Sequence, residues 1–166
     1  MRILKVIIAI ILLMFTSFTF AQSLSSGKME VEWTTDVVLG KGYTTTQTYT
    51  VDNTNFVICY NSQSGKTQIW NIDEGGMPVY DKTTNTGWTS MVFFQLDNDT
   101  YLFTYKEASG KVIFYKMNAS GIEKRVGEYS WSTGWNGFDV LYRNNKPVIM
   151  MTRASDGRAK LFEPHF

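Results

Sequence analysis

The residues best suited to ligand chemistry are three aromatic side chains that each follow a glycine. Tyr43, Trp88 and Trp135 occupy this place, at successive spacings of 45 and 47 residues. An aromatic ring at a turn offers a flat surface on which the apolar C–H face of a sugar stacks, while polar neighbours bind its hydroxyl groups. Such neighbours directly follow all three rings, at Thr44, Thr89 and Asn136. The pattern predicts shallow carbohydrate sites at these turns.

A second set of donor side chains recurs shortly before a later glycine turn. Asn61, Lys106 and Arg153 share this position. Amide and cationic groups there suit the acetamide of a sugar or an acidic glycan, so Lys106 and Arg153 are predicted ligand contacts. Each set also has a structural interpretation. The donors are then solvated loop residues, and the aromatic rings fill the space between repeats.

The sequence contains few residues of the types that catalysis or metal binding usually requires. The one histidine, His165, is the second-last residue, and the one cysteine, Cys59, lies in an apolar run. A histidine-based triad or metal site would have to be built from that single side chain. The pair Asp97 and Asp99 resembles part of a calcium loop, but it lacks the later glutamate and the glycine-centred spacing. The sequence therefore predicts a non-enzymatic protein with neither a metal nor a cofactor.

The glycine-aromatic pairs begin three copies of one sequence unit. Residues 42–70, 87–115 and 134–162 align over 29 positions without a gap. In each copy one segment ends at a pair of Asp or Asn residues, and an apolar segment then ends at a glycine turn. Both features are typical of antiparallel hairpins. With a third segment and a more polar fourth one, each unit is predicted as four antiparallel strands in an all-β fold.

The second strand of the unit indicates how the units pack. It is apolar on both faces, which requires packing partners on both sides and favours stacked sheets like the blades of a β-propeller. Closed propellers usually have four to eight blades. Three units leave open an assembly of two chains with six blades, a β-trefoil, and a three-sheet prism. The polar segment 29–33 is predicted as a strand that completes the last unit.

The start of the chain has the features of a secretory signal. A basic start precedes the apolar run Val6–Leu13, and small residues precede Gln22. This pattern predicts cleavage after Ala21 and a secreted or periplasmic protein. No apolar run is long enough to predict a membrane span. Residues 22–166 are predicted as one domain, with repeats at approximately 28–75, 76–121 and 122–166.

The charge of the predicted mature chain bears on its partners. Without Arg2 and Lys5 of the signal, 14 basic residues stand against 15 acidic ones. Nucleic-acid binding depends on a basic face that neutralises phosphates. The nearly balanced charge therefore argues against nucleic acid as the partner.

Two copies resemble a known lectin repeat. Residues 87–94 (GWTSMVFF) and 134–141 (GWNGFDVL) resemble the repeat of tachylectin-type β-propeller lectins. Residues 101–112 are similar to Gly-Trp repeats found in tandem in secreted bacterial proteins. The lectin resemblance implies a five-bladed propeller that binds N-acetylated sugars, with one site in each blade. This chain has three copies, and the first carries Tyr43 in place of tryptophan.

Two functions are therefore expected. The first is a secreted, lectin-like module that binds glycans or cell-surface polysaccharide at the glycine-aromatic turns. The alternative is a protein-interaction or scaffold module that forms homo-oligomers through incomplete blades.

Overall fold

The computed structural model describes Leu39 and residues 41–166. This part of the chain is all-β, with eleven strands and no helix. It accordingly contains no helix that would cross a membrane. The predicted signal, its cleavage site and the predicted strand at 29–33 lie outside the described residues.

The eleven strands form three antiparallel sheets, and each strand pairs only with its neighbours in sequence. The first sheet contains β1 (Thr45–Val51), β2 (Thr54–Tyr60), β3 (Lys66–Asn71) and β4 (Tyr80–Thr83). The second contains β5 (Ser90–Leu96), β6 (Asp99–Lys106), β7 (Lys111–Asn118) and β8 (Gly121–Ser130). The third contains β9 (Gly137–Arg143), β10 (Lys146–Arg153) and β11 (Arg158–Phe162).

The hairpin between the first two strands of each sheet turns at the predicted pair of Asp or Asn residues. All six residues have φ between 49° and 66°, a left-handed conformation that Asn and Asp tolerate better than other side chains. They are Asp52, Asn53, Asp97, Asn98, Asn144 and Asn145. The cross-strand registers also coincide, because Thr45↔Tyr60, Ser90↔Tyr105 and Gly137↔Thr152 hold corresponding places. The sequence alignment of the copies is therefore also their structural alignment.

The sheets stack through two hydrophobic cores. We call the face that a sheet turns toward the next sheet in the chain its front face, and the opposite face its rear face. The first core joins the front of the first sheet to the rear of the second, through Tyr49, Phe56, Ile58, Tyr60, Ile69, Trp88, Met91, Leu102, Ile113 and Met117. The second core joins the front of the second sheet to the rear of the third, through Phe94, Tyr101, Phe103, Tyr105, Val112, Phe114, Trp135, Ile149 and Met151. The middle strand β6 thus contributes buried residues to both cores, which explains its continuous apolar sequence.

The position of the polar fourth strand differs from the sequence-based repeat boundaries. Strands β4 and β8 pair with the strand before them, so the first two sheets occupy residues 45–83 and 90–130. The predicted boundaries at 76 and 122 had placed most of each polar strand in the following repeat. Both strands are largely exposed, as an outer strand should be. The third sheet contains three strands within the described residues.

Candidate functional site

The glycine-aromatic turns lie where one sheet meets the next. Trp88 is 3% exposed and belongs to the first core, and Trp135 is 1% exposed and belongs to the second. Their rings fill the space between sheets, so neither ring offers an open face for stacking a sugar. Tyr43 is half-buried on the rear face of the first sheet, where its hydroxyl donates a hydrogen bond to Gln68.

The polar residue after each tryptophan bonds to its own sheet. Thr89 Oγ1 donates to the carbonyl oxygen of Tyr105 at 3.1 Å and accepts the N–H of Glu107 at 3.0 Å. Asn136 Oδ1 accepts the N–H of Ala154, which is the equivalent position, at 3.2 Å. These side chains therefore hold the turn against the end of the second strand, and this bonding competes with any contact to a ligand.

Lys106 passes over the glycine of its turn. Its ammonium donates to the carbonyl oxygen of Thr86 at 3.3 Å. Gly87 has φ of +79°, and a Cβ added to it would lie 2.8 Å from Lys106 Cε. The left-handed backbone favours glycine at the turn, whereas the end of the flexible Lys106 side chain could move away from an added Cβ.

Arg153 occupies the same place in the third copy and makes two interactions. Its Nε and Nη2 donate to the two carboxylate oxygens of Asp156 at 2.9 and 2.6 Å, and this bonding lowers the pKa of the Asp156 carboxyl. The guanidinium also lies 4.9 Å from the centroid of the Trp135 ring. Of the predicted residues, the structure thus brings Arg153 and Trp135 together at one turn.

Two tyrosines link the sheets at these turns, and from the sequence they were expected only to lie at the edge of the core. The Tyr60 hydroxyl donates to the carbonyl oxygen of Asn85 at 2.9 Å and accepts the N–H of Trp88 at 3.1 Å. The Tyr105 hydroxyl makes the equivalent bonds to Ser132 at 2.9 Å and Trp135 at 3.4 Å. Burial raises the pKa of both tyrosines, so they stay neutral and keep the donor hydrogen. The one sequence feature that could have indicated this linking role is that the two tyrosines occupy the same position in two copies.

A cleft of about 260 Å³ opens beside the third turn. Its aromatic wall includes Trp131, which is half-buried and packs against Phe103 and Phe162 at centroid distances of 5.6 and 5.1 Å. The full lining is Trp131, Ser132, Trp135, Met151, Lys160, Leu161 and Phe162.

The polar groups of this cleft are a hydroxyl and an ammonium. Ser132 Oγ accepts the indole N–H of Trp135 at 2.9 Å, and Lys160 Nζ lies 5.5 Å from the centroid of that ring. The sequence analysis found Trp135 alone of these residues. Trp131 lies outside the aligned units, and the position 47 residues earlier holds Thr84, so the repeat pattern gave no signal for it.

A second cleft, of about 230 Å³, lies near the end of the chain. Asp97, Lys146, Glu163 and His165 contribute to its lining. Within the described residues, no group of three or more His, Cys, Asp or Glu side chains is arranged to hold a metal ion.

No protein-family model and no curated protein sequence matches this chain. The likeness to tachylectin-type and Gly-Trp repeats stays a prediction that rests on the residues quoted above.

Proposed function

We propose that this chain is a secreted, non-enzymatic carbohydrate-binding module whose glycan site is the aromatic cleft beside Trp131. The observation that carries the proposal is the combination of a half-buried tryptophan, a hydroxyl and an ammonium around one open cleft. Pockets for drug-sized ligands measure about 300–1,000 Å³, so a cleft of about 260 Å³ suits a single sugar ring.

The chemistry of the cleft favours a sugar with an acidic or acetamide substituent. Trp131 offers an apolar surface for the C–H face of the ring. Lys160 supplies a cation that attracts a carboxylate or bonds to a carbonyl oxygen. Ser132 adds a hydroxyl at the same wall. We therefore propose one site in place of the three predicted from the sequence, because the rings of Trp88 and Trp135 are buried and the Tyr43 hydroxyl bonds to Gln68.

We further propose that the three sheets are arranged as propeller-like blades. Every hydrogen-bonded strand pair in the described residues lies within one repeat, whereas a trefoil barrel would pair strands of different repeats. The first strands also lie side by side, with β5 contacting both β1 and β9. The outer strands β4 and β8 are exposed. This order from inner to outer strand is that of blades around an axis.

Binding to immobilised glycans tests the proposal. Trp131→Ala should weaken binding at least about tenfold by removing the stacking surface. Lys160→Gln should weaken binding of acidic sugars more than binding of neutral ones. The matched control is Trp70→Ala, which truncates another half-buried tryptophan on the first sheet. The proposal is wrong if the wild-type chain binds no glycan, or if both cleft variants bind as the wild type does.

A second candidate is the protein-interaction module. It is favoured by exposed apolar side chains on the front face of the third sheet, Leu141 and Leu161. In the other two sheets that face packs against the next sheet.

A further inference from the structure

We propose that two copies of this chain associate through the front faces of their third sheets to form a twofold-symmetric dimer. This inference rests on the second candidate function. The docking face shares Leu161 with the lining of the glycan cleft, so the test varies Leu141, which lies outside the cleft.

The front face of the third sheet keeps the residue pattern by which the other sheets pack. In the first two sheets, the central positions of this face are apolar and lie in a core between sheets. The third sheet keeps an apolar residue at each of these positions. The equivalent sets are Tyr49, Phe94 and Leu141; Ile58, Phe103 and Met150; and Ile69, Phe114 and Leu161.

Exposure distinguishes the third sheet from the others. Tyr49 and Phe94 are buried, but Leu141 is 44% exposed. At the third-strand position Ile69 is buried, whereas Leu161 is 61% exposed. Leu141 and Leu161 lie on the two outer strands of the sheet, on either side of β10, and exposed apolar side chains on one sheet face indicate a docking surface. In the first two sheets this face is covered by the rear face of another sheet of the repeat. The occupant that fits best is therefore a second copy of the chain, and two observations favour its front face over its rear face.

The front face of the third sheet carries charges of both signs. Asp139 and Arg143 flank Leu141 on β9 and point to the same side, because side chains alternate along a strand. Arg143 also pairs with Glu163, and its side chain remains 69% exposed. A twofold axis brings each charge of one copy toward a different residue of the other, so acidic and basic groups can meet across the interface.

The alternative of head-to-tail association would use the rear face of the first sheet, which is poorly suited to it. The first strand there exposes Thr46 and Thr48, where the second sheet has Met91 and Phe93. Cys59 on the same face is already fully buried. The symmetric arrangement avoids this polar face.

The loss of the linking tyrosine also argues against head-to-tail stacking. Tyr60 and Tyr105 each bond to the turn of the next sheet, but the equivalent residue of the third sheet is Thr152. A methyl and a hydroxyl on a short side chain do not extend as far as a tyrosine ring. The third sheet therefore keeps an apolar docking face without the group that binds a following glycine-aromatic turn.

Light scattering coupled to size exclusion tests the dimer on the exported chain. The wild-type protein should be a dimer at micromolar concentration, and Leu141→Asp should weaken the dimer at least about tenfold by burying a charge. Met77→Asp is the matched control, because Met77 is 84% exposed in the first repeat, and this variant should remain dimeric. Near-ultraviolet circular dichroism checks that each variant is folded.

Three results would overturn the proposal. The first is a wild-type monomer at concentrations up to about 100 µM. The second is a folded Leu141→Asp protein that remains as dimeric as the wild type. The third is dissociation by Thr48→Asp, which alters the rear face of the first sheet and indicates head-to-tail contact. Glycan binding is measured on the same proteins. Leu141 is not in the cleft, so a Leu141→Asp protein that is monomeric and still binds glycan would show that the dimer and the glycan site are independent.

Discussion

Removing the hydroxyl of Tyr105 should destabilise the contact between the second and third sheets. In Tyr105→Phe the ring keeps its packing, so the change leaves no cavity. The variant loses the donor to the carbonyl oxygen of Ser132 at 2.9 Å and the acceptor for the N–H of Trp135 at 3.4 Å. Trp135 is 1% exposed, so water does not readily replace the lost acceptor.

The size of the effect follows from the unpaired groups. A buried donor or acceptor left without its partner costs about 1–3 kcal/mol, and we expect a loss in this range in the free energy of unfolding. Tyr60→Phe should cost as much or more, since its hydroxyl accepts the N–H of Trp88 at the shorter distance of 3.1 Å. The two tyrosines share no partner, so the double variant should show an additive loss.

Urea unfolding followed by tryptophan fluorescence measures these losses. The m-value should stay constant, because the amount of surface exposed on unfolding does not change. Tyr129→Phe is the control: Tyr129 is an exposed tyrosine on β8, and its variant should differ from wild type by less than about 0.5 kcal/mol. If Tyr60→Phe and Tyr105→Phe both fall within that limit, the hydroxyls do not link the sheets energetically and the reasoning is refuted.

Three further measurements test the turns and the buried groups. Gly110→Ala should cost about 2–5 kcal/mol, because an added Cβ overlaps the carbonyl oxygen of Trp131, just after β8, and the backbone is left-handed. Gly157 is also left-handed, but an added Cβ has no atom of the described residues within 4 Å, so Gly157→Ala should cost about 1–2 kcal/mol in the same urea experiment. Burial raises the pKa of Tyr60 and Tyr105 above that of an unfolded tyrosine, which is about 10. Their contribution to stability is therefore complete below pH 10 and is lost as the pH rises through the pKa values of the folded protein. Unfolding free energies measured from pH 7 upward should fall only at the alkaline end. Cys59 is fully buried and its thiol pKa is raised by burial, so a thiol reagent should label it only after denaturant is added, and fast labelling of the native protein would contradict its burial.

Much of the strand arrangement follows from local sequence features. The pairs of Asp and Asn residues predict the hairpins because few other side chains accept the left-handed backbone of such a turn. The double-sided apolar pattern of 101–105 predicts a sheet with neighbours on both faces, and Leu102 and Phe103 indeed lie in different cores. These features are confirmed because they depend on residues that are close in sequence.

The sequence did not predict that the rings of Trp88 and Trp135 are buried. A glycine followed by an aromatic residue has the same pattern whether the ring faces solvent or a neighbouring sheet. What decides the outcome for Trp88 is the sheet that precedes it, whose Tyr60 hydroxyl accepts the tryptophan N–H. That hydrogen bond joins residues 28 positions apart, so it can be predicted only when the stacking order of the sheets is known.

The comparison of copies also indicates where function resides in a repeat protein. The positions that all three copies share, such as the glycine of the turn and the polar residue after the aromatic ring, bond and pack within the fold. We therefore propose that the ligand site is built from positions at which the copies differ. Trp131 stands where the previous copy has Thr84, and Lys160 stands where the other copies have Ile113 and Gln68. Both residues line the same cleft. Trp131 directly follows β8 and Lys160 lies on β11, and in the described part of the chain both strands are at the edge of their sheets. Differences at these places leave the inner strands unchanged. We therefore propose that the repeat supplies the scaffold, and that departures from the repeat at Trp131 and Lys160 supply the ligand site.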